Sequence, residues 1–366
     1  MTVRVTKPAL NVREKLTELD LPKGNHGTQV LKSNSLKETC DLVGSGRRNL
    51  LINGGFDVWQ RGTTFTTPSA HYYAADRWQI YRASSSITTT TRETFSVGQS
   101  EVPGNPRHFM RVSNVPDADG TWLEIAQHIE DVTQFSDKWV TLSFWMRANK
   151  PQEAQEDYWT FQYNFGSGGS PSSDYQAAIT PKFDIYTKWR YYEFPVYLAD
   201  LQGKTIGTDG VHTSSLKLQL LRGSAVAADT YYDIANVQLE LGRGATPFEN
   251  RSYGEELALC QRYYWQVNDN KYRRVNGYKR HDTNTHFELQ SPVPMRIAPS
   301  PTLSDGGIFT NFQGNFGSTQ SNPTISEWDV DTGKGLIVIE SNYSSTHLSI
   351  PSWEGYQLQL SAELGW

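Results

Sequence analysis

Residues 216–221, with the sequence LKLQLL, show the alternation that decides the fold class of this chain. Their first three leucines occupy every second position, and Lys217 and Gln219 lie between them. Because side chains of a strand point alternately to opposite faces, the leucines share one face and the polar residues share the other. Such a strand has one face in a core and one in water, which is typical of an antiparallel sheet.

Similar runs occur on both sides of this segment, rich in Trp, Tyr, Phe, Thr and Val and separated by turn residues. Further strands are predicted at residues 50–56, 78–81, 109–112, 122–129, 139–145, 158–165, 188–194 and 231–241. A set of about nine short strands favours an antiparallel β-sandwich, or jelly roll, over residues 49–250.

One strong helix is predicted at residues 253–265 (YGEELALCQRYYW), with Ser252 as N-cap and Glu255 three residues later. This helix, within a linking segment of residues 251–267, separates the jelly roll from a second, C-terminal β domain of residues 268–366. In that domain strands are predicted at residues 287–290, 301–303, 336–340, 347–350 and 356–363.

Residues 1–48 differ in composition from the rest, since basic residues exceed acidic ones and aromatic residues are absent. Two short helices are predicted there, and their thin apolar faces include Leu16, Leu19, Leu36 and Val43. Faces of this size cannot close a core alone. We therefore expect residues 1–48 to anchor the chain on another subunit; a loosely ordered tail is the alternative.

Charge and cysteine content exclude several classes of protein. The net charge of -5 provides no positive field for nucleic acid. The two cysteines, Cys40 and Cys260, fall in different predicted regions, which indicates folding without disulfides in a reducing cytoplasm. The sequence has no recognisable export signal and no apolar run long enough to span a membrane.

No catalytic motif is recognisable. The chain lacks GxSxG and HExxH, and His281 and His286 have no third metal ligand nearby. Glu153, Glu156 and Asp157 form an acidic cluster, but they lie in a predicted connecting loop and are expected to face solvent rather than to hydrolyse a glycoside. The sequence therefore predicts a protein that is not an enzyme and requires no cofactor.

Four sequence blocks resemble, in order, a family of bacteriophage tail-fibre and baseplate-associated proteins. They are NLLINGGFDVWQRG (49–62), AADRW (74–78), LEIAQHIEDV with WVTLSFWMRANK (within 123–150) and YYDIANVQLELGRGATPFENRSYGEELALCQRYY (231–264). The closing SAELGW is similar to a terminal strand that many such proteins share. The core domain of this family is similar to the jelly roll of carbohydrate-binding modules.

The resemblance implies a virion structural protein of the tail, made in the host cytoplasm, that attaches the phage to the host cell through surface glycans. It also implies a homotrimer joined to other tail proteins through the N-terminal segment, without nucleic acid and without membrane insertion. Two alternatives stay open. One is a purely structural tail or neck component without a receptor; the other is a glycan-degrading tail spike, which the missing catalytic motifs disfavour.

A structural calcium ion near the first and last strands is also implied by the resemblance, although no cofactor is required. The matching positions are Asp57, in GGFD, and Asp233, in YYDIANVQLEL. The family often has Glu at the first position, and Asp reaches one methylene less. A pair of capping or turn carboxylates is the alternative.

Glycan recognition needs flat aromatic faces beside polar groups. Candidate aromatic residues form one group beside the 166–173 loop and a second group in the C-terminal domain. The first group is Tyr158, Trp159 and Tyr163, and the second is Trp328, Tyr343, Trp353 and Tyr356. We expect host contact at the second group, because the C-terminal domain is furthest along the chain from the anchor. Burial in a core or a subunit interface is the alternative for each ring.

Overall fold

A computed structural model of the chain describes residues 48–66, 71–82, 89–115, 123–151, 157–222, 230–267, 277–281, 284–303, 309–311, 314–316, 324–329, 333–340, 352–353 and 358–364. The chain divides into two units, Met1–Arg48 and Asn49–Trp366, and the second is described below. The predicted N-terminal helices, with Leu16, Leu19, Leu36 and Val43, lie outside the described residues.

Two six-stranded antiparallel sheets build most of this unit. The first sheet contains, in spatial order, β1 (Thr64–Thr66), β4 (Thr89–Thr94), β5 (His108–Val115), β12 (Thr230–Leu241), β7 (Lys138–Ala148) and β10 (Arg190–Leu198). The second contains β2 (His71–Tyr73), β3 (Gln79–Arg82), β6 (Leu123–Glu130), β11 (Ser215–Arg222), β8 (Asp157–Asn164) and β9 (Tyr175–Ile179). Two 3₁₀ turns, Val132–Phe135 and Val211–Thr213, lie in the connections.

Eight of these strands have the order of a jelly roll. Strands β5, β12, β7 and β10 are neighbours in the first sheet, and β6, β11, β8 and β9 are neighbours in the second. Successive strands from β5 to β12 therefore alternate between the two sheets, except that β8 and β9 both lie in the second sheet. The predicted mainly β, antiparallel sandwich is confirmed.

The core lies between the two sheets and combines aliphatic with aromatic side chains. The alternate leucines of β11 are at most 3% exposed, as their sequence pattern predicts. Phe144 of β7 packs against Trp159 of β8 with ring centroids 5.3 Å apart. Since burial of one large apolar side chain contributes about 1.5–3 kcal/mol, this layer provides the main stabilisation of the sandwich.

The apolar run at residues 50–56 is not a strand, contrary to the prediction, but a series of bends. Asn53 has a φ of 59°, and its side-chain amide bonds to the backbone of Val58 and Asp76. A Cβ atom on Gly54 would lie 2.0 Å from the carbonyl oxygen of Val237, so only glycine fits there. The run is buried through a turn that apolar composition alone does not indicate.

Four strands of the sandwich were not predicted: β1, β2, β4 and β9. Strand β4 has the sequence TTTRET, in which polar β-branched residues hide any alternation of hydrophobicity. It pairs with both β1 and β5. Short strands of this kind are specified by their neighbours more than by their own pattern.

The predicted helix is present as α1 (Tyr253–Gln261), and its N-cap is confirmed. The side chain of Ser252 accepts a hydrogen bond from the backbone N–H of Glu255 at 3.3 Å. The helix ends earlier than predicted, because β13 (Tyr264–Val267) begins there. Cys260 is fully buried and packs with Ile52 and Val58 of the jelly roll, so α1 is docked on that domain.

Beyond α1, three small antiparallel sheets follow. The first contains β13, β22 (Leu358–Ser361) and β16 (Ser300–Leu303) in spatial order. The second contains β14 (Gly277–His281), β15 (Asn284–Gln290), β20 (Lys334–Glu340) and β19 (Thr324–Asp329). The third contains β18 (Gly314–Phe316), β17 (Phe309–Asn311) and β21 (Ser352–Trp353).

Residues close to the end of the chain return to the jelly roll. The hydroxyl of Tyr73 donates to the carbonyl oxygen of Leu364 at 3.2 Å. Arg296 donates to the carbonyl oxygen of His212 at 2.9 Å and also to those of residues 362 and 363. These residues therefore contact the jelly roll directly, and the expectation that the C-terminal domain faces away from the anchor stays a prediction.

In the part of the chain that the structure describes, no helix has the length and apolar character needed to cross a membrane.

Candidate functional site

Two of the predicted glycan-binding residues belong to the core. Trp159 and Tyr163 are 0% exposed, and both point between the sheets. The hydroxyl of Tyr163 donates to the carbonyl oxygens of Phe135 and Ala199. These two assignments are wrong, because strand alternation places both rings on the inner face of β8. Tyr158 lies on the outer face of the same strand and is half-buried.

The four candidates in the C-terminal domain stay predictions. Trp328 lies in β19 and Trp353 in β21, but the structure describes only the backbone of these two residues. Tyr343 and Tyr356 lie outside the described residues.

Asp157 does not face solvent, as the acidic-cluster interpretation expected. It is 1% exposed and begins β8, where it shares the inner side of the strand with Trp159. Glu153 and Glu156 lie outside the described residues. The buried position of Asp157 follows from the strand extending one residue further than the predicted loop boundary.

The two carboxylates predicted as calcium ligands have protein partners instead. Asp233 is fully buried, and both of its oxygens accept hydrogen bonds from Arg111 and Arg147 at 2.6–2.8 Å. Asp57 bonds to the Nδ1 atom of His108 at 2.7 Å. Calcium needs six to eight free oxygen ligands, and a carboxylate saturated by guanidinium groups does not fit that need. Asp233 is therefore better explained as the centre of an ion-pair group.

Among the residues that the structure describes, no three His, Cys, Asp or Glu side chains are grouped closely enough to hold a metal ion.

A row of aromatic rings lies on the outer face of the first sheet, along β7 and β10, with its two tyrosines exposed and its two tryptophans half-buried. Trp145 is paired with Tyr191 at one end, and Trp139 is paired with Tyr197 at the other. The ring centroids within these pairs are 5.6 and 5.5 Å apart. The two tyrosines are 44% and 45% exposed. We call these four residues, together with Arg243, the aromatic strip.

Strand geometry fixes the length and direction of the aromatic strip. Residues between its ends, such as Leu142 and Phe144, point into the core, so the strip residues point outward. Tyr191 and Tyr197 are six positions apart in β10, which corresponds to about 20 Å along the strand. Ser143 lies opposite Glu193 in the middle of the strip. Ser143 is 3% exposed, and Glu193 accepts a hydrogen bond from the backbone N–H of Ala245 at 2.9 Å, so the polar groups between the two aromatic pairs are partly covered by the chain.

Charged groups contact the Trp139–Tyr197 end of the aromatic strip. The guanidinium of Arg243 lies 4.0 Å from the ring centroid of Trp139. The hydroxyl of Tyr197 donates to the carboxylate of Asp137, and this hydrogen bond raises the pKa of Tyr197. Burial raises the pKa of Tyr191. Both hydroxyls therefore stay protonated and can donate at neutral pH.

The sequence offered only a weak signal for the aromatic strip. Trp139 and Trp145 were placed in a predicted strand, but the cross-strand register that brings Tyr197 and Tyr191 beside them is not visible in either strand alone. In β10 the residues Phe194, Val196 and Leu198 alternate with Glu193, Pro195 and Tyr197, and this alternation is the sequence feature that could have indicated an outer face.

A second cluster of rings and charges is buried where the chain end meets the jelly roll. Arg77 is 1% exposed, forms an ion pair with Glu363 and lies 3.5 Å from the ring centroid of Tyr263. Arg61 pairs with the same carboxylate at 3.3 Å and lies 3.5 Å from the ring centroid of Tyr264. We call these five residues the C-terminal latch. Their contacts are buried and are made with one another, which indicates a structural role.

Comparison with known proteins shows only that the fold of this chain is similar to that of some solved structures. No protein-family model matches the chain, and no curated protein matches its sequence. One similar solved structure is the enzymatically active domain of tailspike protein 4 from bacteriophage CBA120, with 12% identity and a TM-score of 0.31. That match covers 53% of this chain and 21% of the tailspike, so this chain corresponds to about a fifth of that protein's length.

A second similar structure is the family 11 carbohydrate-binding module from Clostridium thermocellum, in complex with a beta-1,3-1,4-mixed-linked tetrasaccharide. It has 12% identity and a TM-score of 0.28 over 49% of this chain and 95% of the module. A third is a cyclase from Fischerella sp., with 14% identity and a TM-score of 0.33 over 56% of this chain and 100% of the cyclase. We therefore argue function from the residues of this chain.

Proposed function

We propose that the protein is a structural subunit of a bacteriophage tail fibre that binds host surface glycans and is not an enzyme. The observation that carries the proposal is the aromatic strip, which has an exposed tyrosine beside a half-buried tryptophan at each end. The sequence blocks that resemble phage tail proteins provide the virion context. A glycan lying along β7 and β10 is the ligand that this surface suits.

The chemistry of the strip matches that of sugars. The C–H faces of a pyranose pack on aromatic rings, and its hydroxyls form directional hydrogen bonds with polar groups beside them. Trp139 and Tyr191, at opposite ends, provide such faces, and Ser143 and Glu193 lie between them. Two aromatic pairs about 20 Å apart along the strand suit an oligosaccharide better than a single sugar.

The virion setting explains how weak contacts produce firm attachment. We propose a homotrimer that is assembled in the host cytoplasm and carried on the tail, with residues 1–48 contacting other tail proteins. Three or more copies of one glycan site multiply the strength of attachment without any new contact. An exposed strip on each subunit is compatible with this arrangement.

The test uses the full chain and purified host envelope polysaccharide. We expect Trp139→Ala combined with Tyr197→Ala to weaken binding at least tenfold, whereas Tyr253→Ala, which removes an exposed tyrosine elsewhere (56% exposed), should bind normally. Unchanged binding of the double variant would place the glycan site elsewhere. The full-length variant Trp353→Ala with Tyr356→Ala tests the C-terminal candidates in the same assay.

The same assay separates the two alternatives. A purely structural tail component predicts that the wild-type protein binds no host polysaccharide, while virions that lack it fail to assemble. A glycan-degrading spike predicts release of reducing ends during incubation. We expect binding and no release.

A further inference from the structure

A row of charged residues crosses the outer face of the first sheet beside the Trp145 end of the aromatic strip. Arg111 of β5 is the register partner of Asp233 of β12, and Asp233 is the partner of Arg147 of β7. Arg147 follows Trp145 by two positions, so both side chains point to the same outer face, about 7 Å apart along the strand. The charged row therefore continues the surface of the strip.

Solvent reaches the two arginines of this row but not the carboxylate between them. The two arginine side chains are each 24% exposed, whereas that of Asp233 is 0% exposed. The guanidinium of Arg147 lies 4.8 Å from the ring centroid of Trp189 and 5.8 Å from that of Phe109. These two buried rings pack in one cluster with Trp145. They cover one side of Arg147, so solvent reaches it from the opposite side.

The hydrogen bonds to Asp233 involve the two guanidinium groups unequally. Arg111 donates to both carboxylate oxygens, through Nε at 2.6 Å and through one Nη atom at 2.8 Å. Arg147 donates through Nε alone, at 2.8 Å. In the described part of the chain, neither Nη atom of Arg147 has an acceptor. Because Arg111 already satisfies both oxygens of Asp233, the two Nη atoms of Arg147 are left for another acceptor.

The charged row has an excess of positive charge. Two guanidinium groups share the single carboxylate of Asp233, which leaves one positive charge without a partner. Glu93 of β4 is three strands away from Arg147, about 14 Å, which exceeds the Debye length of about 8 Å in physiological salt. Glu193 of β10 lies opposite Ser143, four positions before Arg147 and so about 13 Å along β7. An anion is therefore the ligand that Arg147 attracts.

We propose that Arg147, oriented by Asp233, binds the carboxylate of an acidic sugar unit in the glycan that lies on the aromatic strip. The proposal rests on the glycan-binding function above and specifies the ligand as an acidic polysaccharide of the uronic acid class. A planar carboxylate accepts two parallel hydrogen bonds from the two Nη atoms of one guanidinium. Since Arg147 lies beside Trp145, the acidic unit occupies that end of the strip.

The test compares three forms of the purified host envelope polysaccharide: native, carboxyl-reduced and dephosphorylated. Carboxyl reduction converts each carboxylate into a neutral primary alcohol and keeps the rest of the polysaccharide. We expect the full-length wild type to bind the native and dephosphorylated forms equally, and the carboxyl-reduced form about tenfold more weakly. Equal affinity for the native and carboxyl-reduced forms overturns the proposal, as does a preference that depends on phosphate instead of carboxylate.

Two glutamine variants locate the preference for carboxylate. We expect Arg147→Gln to bind the native and carboxyl-reduced forms within about twofold of each other, because the guanidinium that distinguishes them is gone. Arg190→Gln is the matched control, since it removes an exposed guanidinium that lies over the ring of Tyr186 at 4.0 Å. The control should keep the full preference. The proposal is overturned if Arg147→Gln keeps the preference or if Arg190→Gln loses it.

Thermal unfolding separates loss of the site from loss of the fold. Arg147→Gln should unfold close to the wild-type temperature, because Asp233 keeps both hydrogen bonds from Arg111. Arg147→Lys keeps a positive charge beside Asp233 but lacks the planar pair of Nη donors, so it should fold and still lose most of the preference. If Arg147→Gln is unstable, the lysine variant decides, and a full preference in that variant overturns the proposal.

The same measurements distinguish failure of the acidic-ligand site from failure of the proposed function. Trp139→Ala with Tyr197→Ala should weaken binding of the native and carboxyl-reduced forms by the same factor, because the strip contacts neutral parts of the sugars. A wild type that binds neither form contradicts both the glycan-binding function and the acidic ligand. A wild type that binds both forms equally, and loses both in the double variant, contradicts only the acidic ligand.

Discussion

Contacts of a guanidinium with an aromatic ring in two regions of this molecule have different consequences. In the C-terminal latch, Arg77 lies over Tyr263 and is paired with Glu363, and all three are nearly inaccessible to solvent. In the aromatic strip, Arg243 lies over Trp139 on an exposed face. The chemistry is the same, but only the strip leaves a ring face for a ligand.

The two regions differ because the ion pairs of the latch are buried, whereas the strip is exposed to solvent. Breaking one partner of a buried ion pair leaves the other charge without compensation, whereas an exposed pair is compensated by water. Loss of a latch residue should therefore reduce stability. Loss of a strip residue should reduce binding and leave stability almost unchanged.

The largest expected effect tests the latch. We expect Glu363→Ala to lower the free energy of unfolding by about 3–5 kcal/mol, because it leaves Arg77 buried without its partner. Chemical denaturation measures this, and Glu255→Ala, at an exposed position of α1, is the control. A loss below about 1 kcal/mol would mean that the latch contributes no more than a surface ion pair.

The next effect is the pH dependence of stability, to which two buried groups, Asp76 and His128, contribute with opposite signs. Burial raises the pKa of Asp76 to about 6, so its contribution to stability is fully present below pH 3.8 and is lost as the pH rises through 6. Burial lowers the pKa of His128 to about 3, so its contribution is present above pH 6.5 and is lost as the pH falls towards 3.

These two dependences oppose each other between pH 4 and pH 6. We expect the difference in unfolding free energy between wild type and Asp76→Asn to change by on the order of 3 kcal/mol over this range. The difference for His128→Gln should change in the opposite direction. Urea denaturation of the wild type and both variants at several pH values measures these changes. If the two free-energy differences changed in the same direction with pH, this account would be contradicted.

A smaller effect tests the aromatic strip, which is the exposed one of the two regions. We expect Arg243→Ala to weaken polysaccharide binding by about two- to fivefold, the loss of roughly 0.5–1 kcal/mol that an exposed cation–π contact contributes. Stability should stay within about 0.5 kcal/mol of wild type. Arg190→Ala removes a similar contact, over Tyr186 at 4.0 Å, outside the strip and serves as the control.

The smallest effect concerns one hydroxyl of the strip. Because the hydrogen bond to Asp137 raises the pKa of Tyr197, polysaccharide binding should not change between pH 7 and pH 9. We expect Tyr197→Phe, which keeps the ring, to bind within about twofold of wild type, unlike Tyr197→Ala. A strong loss in the phenylalanine variant would mean that the hydroxyl rather than the ring contacts the glycan.

Local sequence determined the strands and helices whose signal lies within a few consecutive residues. The alternation of β11 and the capping residues Ser252 and Glu255 of α1 predicted a strand and a helix that the structure contains. A strand or a cap is specified by residues a few positions apart, so its signal is present in a short window. The mainly β fold could be predicted for the same reason.

The tertiary structure alone decided which residues share a surface. Trp159 was predicted to bind a glycan and lies in the core, whereas Tyr197 was not considered and lies on the exposed strip. A shift of one residue moves a side chain to the other face of a sheet, and register depends on partners far away in sequence. Asp233 likewise received its arginine partners, Arg111 and Arg147, from two other strands. Composition predicted the fold class, and long-range pairing assigned each side chain its role.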